Sequence, residues 1–379
     1  MIVIAEINYR GNVHEMVNSC MVDIVRRIFP REQICLVGEA SQIANLQKLS
    51  NADNLIVKDL YSELGGKPDP NPSRLKSLWR VLTFAKRQKA EYVFLLSLLP
   101  VGGACLRLLR PLFPRQKVLA VLHGELEHLR RGKGEKDYKP GRLLRFALHT
   151  GGKTRFIVLG GSIRRNLVEQ FPWLDHQQVI AIDHPYHYPQ LGAPKPAPNP
   201  VNFVQFGVGS ISKGTEGLFA SAEKVKREVS PESRFYIAGG VYPELKPWLD
   251  DRYVIYPQPG INLSRAEIDD IAAQCHYALF YYTNEHYKLC ASGAFFDAVR
   301  YELPIVCLRN DFFAYYFEKY GPLGYLADSM EELDAILLRL SLELPTEEYS
   351  AQVENLKYLK NELQINVIAM HLDNALLHF

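Results

Sequence analysis

The stretch His286–Val306, HYKLCASGAFFDAVRYELPIV, decides how the rest of the chain is read. The apolar run Tyr277–Tyr282 before it has the length of a buried strand. Ser292-Gly293 then opens a short helical run, with serine as a favoured N-cap and glycine at the first helical position. Asp297 stands one turn further in, and Leu303-Pro304-Ile305-Val306 leads out into another strand. A strand, a small-residue helix start and an inward carboxylate are the parts that hold a sugar nucleotide. Helix N-terminal amides take the diphosphate, and the carboxylate takes ribose hydroxyls.

Working outward, the same strand-then-helix alternation recurs on both sides. In the first part, Ile2-Val-Ile-Ala reads as a buried strand. Asn12–Ile28 is helical, with Val13, Met16, Val17, Cys20, Ile24 and Ile28 on one face. Strands are expected at Ile34–Val37, Asn54–Val57, Tyr92–Leu96, Val118–Leu122 and Arg155–Leu159, with a helix at Ser73–Lys89. The prolines Pro194, Pro196, Pro198 and Pro200 mark an extended, stiff hinge. After it the pattern restarts, with strands at Val201–Phe206, Phe235–Ala238, Arg252–Tyr256 and Ile305–Leu308. Helices are expected at Thr215–Val229, Leu263–Cys275, Gly293–Tyr301 and Ser329–Leu342. Two Rossmann-like, doubly wound α/β domains follow from this repetition. The expected division is 1–193, a hinge over 194–200, 201–348, and a long helical segment over 349–379 that packs back toward the first domain. Two such halves place a cleft between them, lined by loops at the carboxyl ends of the strands.

Composition agrees. A chain of 379 residues exceeds one ordinary core, and 47% apolar with 23% charged is a normal globular balance. The six cysteines are scattered, mostly in apolar runs, which reads as buried thiols in a reducing compartment. Met1-Ile-Val-Ile-Ala-Glu is too short and lacks the basic start of a signal peptide. The greasiest run, Tyr92–Leu106, contains Pro100 and Gly102-Gly103 and falls short of the ~18–20 residues of a spanning helix. It reads as a buried strand and turn in a cytoplasmic protein.

Three loops carry candidate chemistry. Phe206–Gly214 partly matches GxGxxG, with Gly207 and Gly209, but Ser212 replaces the third glycine. A dinucleotide site also wants an acid ~20 residues on, where this chain has Ala238-Gly239-Gly240, so NAD is disfavoured. Lys213 offers a charge to a phosphate. Gly240 either admits a ligand against the backbone or makes a tight turn. In the first domain, Gly11 turns the chain into a helix whose start carries His14 and Glu15. These are either an acid/base pair or an exposed histidine beside a glutamate favoured by the helix dipole. A later strand ends at His123, followed by Glu125 and His128. Their spacing fits no zinc pattern, and no metal is expected. His184-Pro-Tyr-His187 reads as structural.

The second domain resembles the nucleotide-sugar half of a GT-B-fold glycosyltransferase of the bacterial polysaccharide type, the group 1-like glycosyl transferases. Many such enzymes carry Lys-Gly after that domain's first strand, matched by Lys213-Gly214. They also carry a Glu-x7-Glu helix motif before a Gly-Lys-Pro-Val exit. Aligned on Pro304, the second acid falls on Asp297 and the phosphate-facing small pair on Ser292-Gly293. The first acid, which touches the donor sugar in those relatives, falls on Leu289. Tyr282, Asn284, Glu285, Tyr287 or Lys288 would have to substitute. The resemblance also matches His123 to a histidine near the donor sugar.

What the resemblance implies is transfer of a hexosyl-type sugar from a nucleotide-diphosphate-sugar to a glycan or lipid-linked acceptor. The setting would be surface polysaccharide synthesis, with no cofactor beyond the donor. His14 or Glu15 would be the base if the enzyme inverts, and an acceptor contact if it retains. Two other readings stand beside it: a non-catalytic partner subunit of the same fold, favoured by Leu289, and a nucleotide-sugar epimerase. From Arg130 to Arg155 the chain holds nine Lys or Arg against two acids. That suits a solvated loop, a lipid diphosphate, or the anionic inner face of a membrane. Leu106–Arg110 would add an apolar, basic edge for peripheral docking. No aromatic-interleaved basic motif points to nucleic acid.

Overall fold

The computed structural model describes residues 1–50, 55–63, 73–189 and 197–379. Part of the expected hinge, 194–196, lies outside them. The chain divides into two compact units. Unit 1 comprises Met1–His187, Leu289–Ala291 and Leu363–Phe379, and unit 2 comprises Tyr188–Lys288 and Ser292–Glu362.

Among the described residues, unit 1 holds a seven-stranded parallel sheet: β1 (Ile2–Ala5), β2 (Ile34–Gly38), β3 (Ile56–Asp59), β4 (Tyr92–Leu95), β5 (Lys117–Leu122), β6 (Thr154–Val158) and β7 (Val179–Ala181). The order is β3-β2-β1-β4-β5-β6-β7. A parallel sheet is covered on both faces, so its strands read as unbroken apolar runs. Successive residues serve opposite faces: Val3, Ala5, Val93 and Leu95 join one core, and Ile2, Ile4, Tyr92 and Phe94 the other.

Unit 2 holds a six-stranded parallel sheet: β8 (Phe203–Phe206), β9 (Phe235–Ala238), β10 (Val254–Ile255), β11 (Tyr277–Phe280), β12 (Ile305–Leu308) and β13 (Gly324–Ala327). Its order, β10-β9-β8-β11-β12-β13, repeats the first six positions of unit 1. The doubly wound class read from the sequence is the observed one.

Several expectations need correction. The run Tyr92–Leu106 is not strand and turn. After β4 it forms the helix Pro100–Leu109, started by proline at its first position. Gly102 and Gly103 are tolerated inside that helix because it packs tightly on the next one. A Cβ on Gly103 would stand 2.6 Å from that of Ala147. The basic stretch 130–155 is not a loop throughout; it contains the helix Tyr138–Leu148, whose buried side is Gly141, Leu144, Ala147 and Leu148. Val13 is exposed and lies before the helix Glu15–Ile28, which buries Val17, Cys20, Met21, Ile24 and Val25. The expected single helix over 349–379 is two. Thr346–Glu362 belongs to unit 2, and Ile365–Leu376 packs Ile368, Leu372 and Leu376 into the unit 1 core beside Ile4. No helix among the described residues is long and apolar enough to cross a membrane.

Candidate functional site

Both sheets reverse their winding beside the first strand, between β1 and β4 and between β8 and β11. Ligands of doubly wound sheets bind at such switch points, at the carboxyl ends of the strands.

In unit 2, β8 ends at Gly207, which has a left-handed φ of 75°. A Cβ there would lie 3.1 Å from Lys213 Nζ and 3.6 Å from the Ala294 side chain. The strand end, the lysine and the first turn of the helix Gly293–Tyr301 therefore converge. Gly293 has open space where a side chain would project. Ser292 caps this helix, its Oγ accepting from the Phe295 N–H at 3.3 Å. The Tyr282 hydroxyl also bonds Ser292 Oγ, and the Tyr282 ring stacks on Tyr287 with centroids 3.9 Å apart. Ser212 Oγ pairs with Ser210 Oγ at 3.0 Å in the same turn.

Other expected ligand contacts have structural partners. Asn284 donates to Asp311 Oδ1 and accepts from the Asp311 N–H, each at 2.9 Å, and so fixes the start of the helix Asp311–Tyr320. A side chain on Gly240 would strike Asn262 Oδ1 at 2.2 Å, so that side of Gly240 is packed against Asn262. Gly209 packs toward Thr215, Leu245 and Ile237 rather than outward. Asp297 Oδ1 accepts from Arg265 Nη1 at 2.9 Å. That arginine lies 32 positions earlier in the chain, and sequence spacing gave no signal for it.

In unit 1, sequence reasoning missed the central residue, Glu6, which follows β1 directly. It is 1% exposed. Its Oε1 accepts from the backbone N–H of Asn8 at 2.7 Å and Tyr9 at 3.1 Å, and from Ser97 Oγ at 2.5 Å. Its Oε2 accepts from Asn18 Nδ2 at 3.3 Å. Burial raises its pKa, and these donors pull the other way. An acid at the end of the first strand of a doubly wound sheet was the available signal.

The loop that Glu6 anchors turns at Gly11, with φ of 61° and open space beside it. It delivers His14, also left-handed at φ 59°, to the start of the helix Glu15–Ile28. The His14 ring stacks on Tyr9 at 4.6 Å and meets His123 edge-on at 4.4 Å. The structure thus brings His14 and His123 together, with Glu15 following as the first helical residue. His123 is partly buried, and a ring nitrogen lies 3.0 Å from the Leu96 carbonyl. Burial, with His14 beside it, pushes its pKa down to about 3. Burial lowers His14 as well. Both rings are neutral bases near pH 7. Glu125 accepts the His123 N–H at 2.9 Å, and burial pushes its carboxyl up to about 7.

Leu289, the position of the missing acid, belongs to unit 1. It is fully buried in that unit's core, and its N–H donates to Glu127 Oε1 at 2.5 Å.

No model of a known protein family matches the sequence, and no curated protein matches it. Solved structures do. The chain superposes on Anabaena Alr3699/HepE in complex with UDP-glucose with a TM-score of 0.69 at 13% identity, over 100% of both chains. It superposes on WaaG, a glycosyltransferase involved in lipopolysaccharide biosynthesis, with a TM-score of 0.62 at 12% identity and 99% of each chain. UDP-GlcNAc 2-epimerase from Neisseria meningitidis, bound to UDP-GlcNAc, matches over 100% of both chains at 0.54 and 12%. Likeness at these identities establishes the fold, GT-B, and nothing finer.

Two outcomes follow from this geometry. Leu289→Glu places an unpaired charge in a core, so chemical denaturation will show a loss of about 3 kcal/mol or more. A gain in nucleotide-sugar binding with stability retained would contradict that placement. For Glu125, a carboxyl raised from 4.5 to about 7 contributes stability present below pH 4.5 and lost as pH rises toward 7. Stability measured against pH will therefore fall across that window relative to Glu125→Gln, by on the order of 3 kcal/mol. Parallel profiles for the two proteins would rule it out.

Proposed function

We propose that the chain is a glycosyltransferase that uses a nucleotide-diphosphate-sugar donor. The observation that carries this is the convergence of Lys213 Nζ, Gly207 and the start of the helix Gly293–Tyr301 at the end of β8. In this reading the anomeric carbon–oxygen bond to the diphosphate breaks, and charge develops on the leaving oxygen. Lys213 and the Gly293 and Ala294 amides neutralise that charge where it forms. Asp297, oriented by Arg265, takes ribose hydroxyls. Tyr287, stacked on the buried Tyr282, offers an aromatic face toward the donor. A new bond forms from the anomeric carbon to an acceptor hydroxyl, whose proton passes to a base. The strand-end crevice of unit 1 is assigned to that step. His14, neutral and at its mouth, is the base, while His123 and Glu125 position it. The acceptor is a glycan or a lipid-linked glycan, and the sugar is of the hexosyl type.

The apolar residues left exposed on two neighbouring helices support a membrane-surface location. Val101 and Leu108 on Pro100–Leu109 are 53% and 66% exposed, and Phe146 on Tyr138–Leu148 is 39% exposed. Arginines 107, 142 and 145 lie among them. A basic, apolar helical surface suits the interface of an anionic bilayer.

An epimerase is the second reading, since a nucleotide-sugar epimerase is among the matching folds. Product analysis of UDP-sugars without acceptor separates the two, because an epimerase converts its substrate unaided.

Calorimetry with UDP, GDP and their sugars will show one nucleotide binding, and Lys213→Ala will weaken it about tenfold or more. Absence of binding by every nucleotide removes the central claim. Co-sedimentation with phosphatidylglycerol vesicles will be reduced in Leu108→Glu, and unchanged retention would remove the docking face.

A further inference from the structure

A second cavity lies in unit 1, formed by residues outside the β1/β4 crevice. It has a volume of about 500 Å³ and is lined by Arg107, Arg131, Arg142, Arg145, His149 and Trp173, among others. Its arrangement is built from the sequence. Arg142, Arg145 and His149 recur at i, i+3 and i+7 along and just past the helix Tyr138–Leu148, which puts them on one face. The helix is held close by Gly141, since a Cβ there would come within 2.1 Å of the His128 carbonyl oxygen.

The aromatic residues fix the cations. Arg145 lies over Trp173 at 4.8 Å, and His149 stacks on the same indole at 4.8 Å with planes 7° apart. Arg107 lies over Phe146 at 4.1 Å and donates to its carbonyl at 2.7 Å. The lining contains four arginines and two histidines and no Asp or Glu. Among the described ion pairs, Asp137 with His128 at 3.8 Å is the one that involves a lining residue. Helix C-termini favour cations, which accounts for Arg145 and His149. It accounts as well for Arg107, in the last turn of Pro100–Leu109, but not for Arg131 or Arg142. Like charges gathered without a counter-ion repel, and planar guanidiniums match phosphate oxygens in pairs.

We propose that this cavity is a binding site for a phosphate ester, with the phosphate on the arginines and an attached apolar or planar group against Trp173 and Phe146. The chemistry is shared by a soluble phosphate ester and a phospholipid headgroup. The site does not depend on the transferase reading.

The test uses full-length protein in phosphate-free buffer, in a Lys213→Ala background that weakens any binding at the unit 2 crevice. Pyrophosphate and glycerol 3-phosphate are titrated by calorimetry, and phosphatidylglycerol and neutral vesicles are compared by co-sedimentation. The expected result is saturable binding of at least one phosphate probe. Arg142→Glu will weaken it about tenfold or more, with an unchanged circular dichroism spectrum. Arg142 is exposed, so the substitution spares the core. Binding of the soluble probes assigns the site to a small ligand. Binding of anionic vesicles alone, abolished by Arg142→Glu, assigns it to a headgroup. No saturable binding of any probe, or binding that Arg142→Glu leaves intact, overturns the proposal. UDP binding by the otherwise native protein carrying Arg142→Glu reports on unit 2 separately, so the two readings fail independently.

Discussion

A carboxylate buried at the end of the first strand governs the shape of unit 1's crevice. Glu6 is held by two backbone N–H groups, a hydroxyl and an amide rather than by a counter-ion. Taking such a group out of water is costly unless its oxygens are satisfied. The four donors come from the loop after β1, from the helix behind it and from the end of β4. Satisfying one acid therefore fixes three segments at once. The loop so fixed carries Tyr9, Gly11 and His14, and the end of β4 carries the Leu96 carbonyl that positions His123. The histidine pair is a consequence of how Glu6 is solvated by the protein.

Unit 2 solves the corresponding problem without a charge. Beyond the last paired residues of β8 and β9 the chains stay in contact through glycines. A Cβ on Gly239 would lie 2.2 Å from the Gly207 carbonyl oxygen. Backbone bonds from Gly207 to Ala238 at 2.9 Å and from Gly209 to Gly240 at 2.8 Å continue the pairing. The glycines read from sequence as room for a ligand are used largely for this close approach. Gly207 remains the one whose side faces Lys213. The end of β1 thus gathers a buried acid and two histidines, and the end of β8 a lysine among glycines.

The parts of the fold legible in the sequence were those with strong periodicity or punctuation. Strands such as Ile34–Gly38 and Ile305–Leu308 are buried on both faces and so read as plain apolar runs. Ser292 announced its helix as a cap. What failed did so for tertiary reasons. Gly102-Gly103 looked like a turn because the neighbour that requires small residues, Ala147, is far along the chain. The spacing could not show the partners of Asp297 and Asn284, Arg265 and Asp311, which lie 32 and 27 positions away. Glu6 went unread because its meaning depends on Ser97, in the loop after β4 and 91 positions away.

Leu289 shows most clearly why a motif position cannot be judged alone. Read by alignment, leucine in place of an acid argues for a protein that has lost its sugar contact and its activity. The packing gives the residue another purpose. Its side chain completes the core of unit 1, and Glu127, itself paired with Arg130 at 2.7 Å, receives its backbone N–H. An acid at 289 would have to ionise inside apolar surroundings, beside Glu127. The segment Leu289–Ala291 is thus constrained by unit 1's stability before any demand from a ligand. Absence of the acid follows from that constraint, and it is not by itself an argument against catalysis.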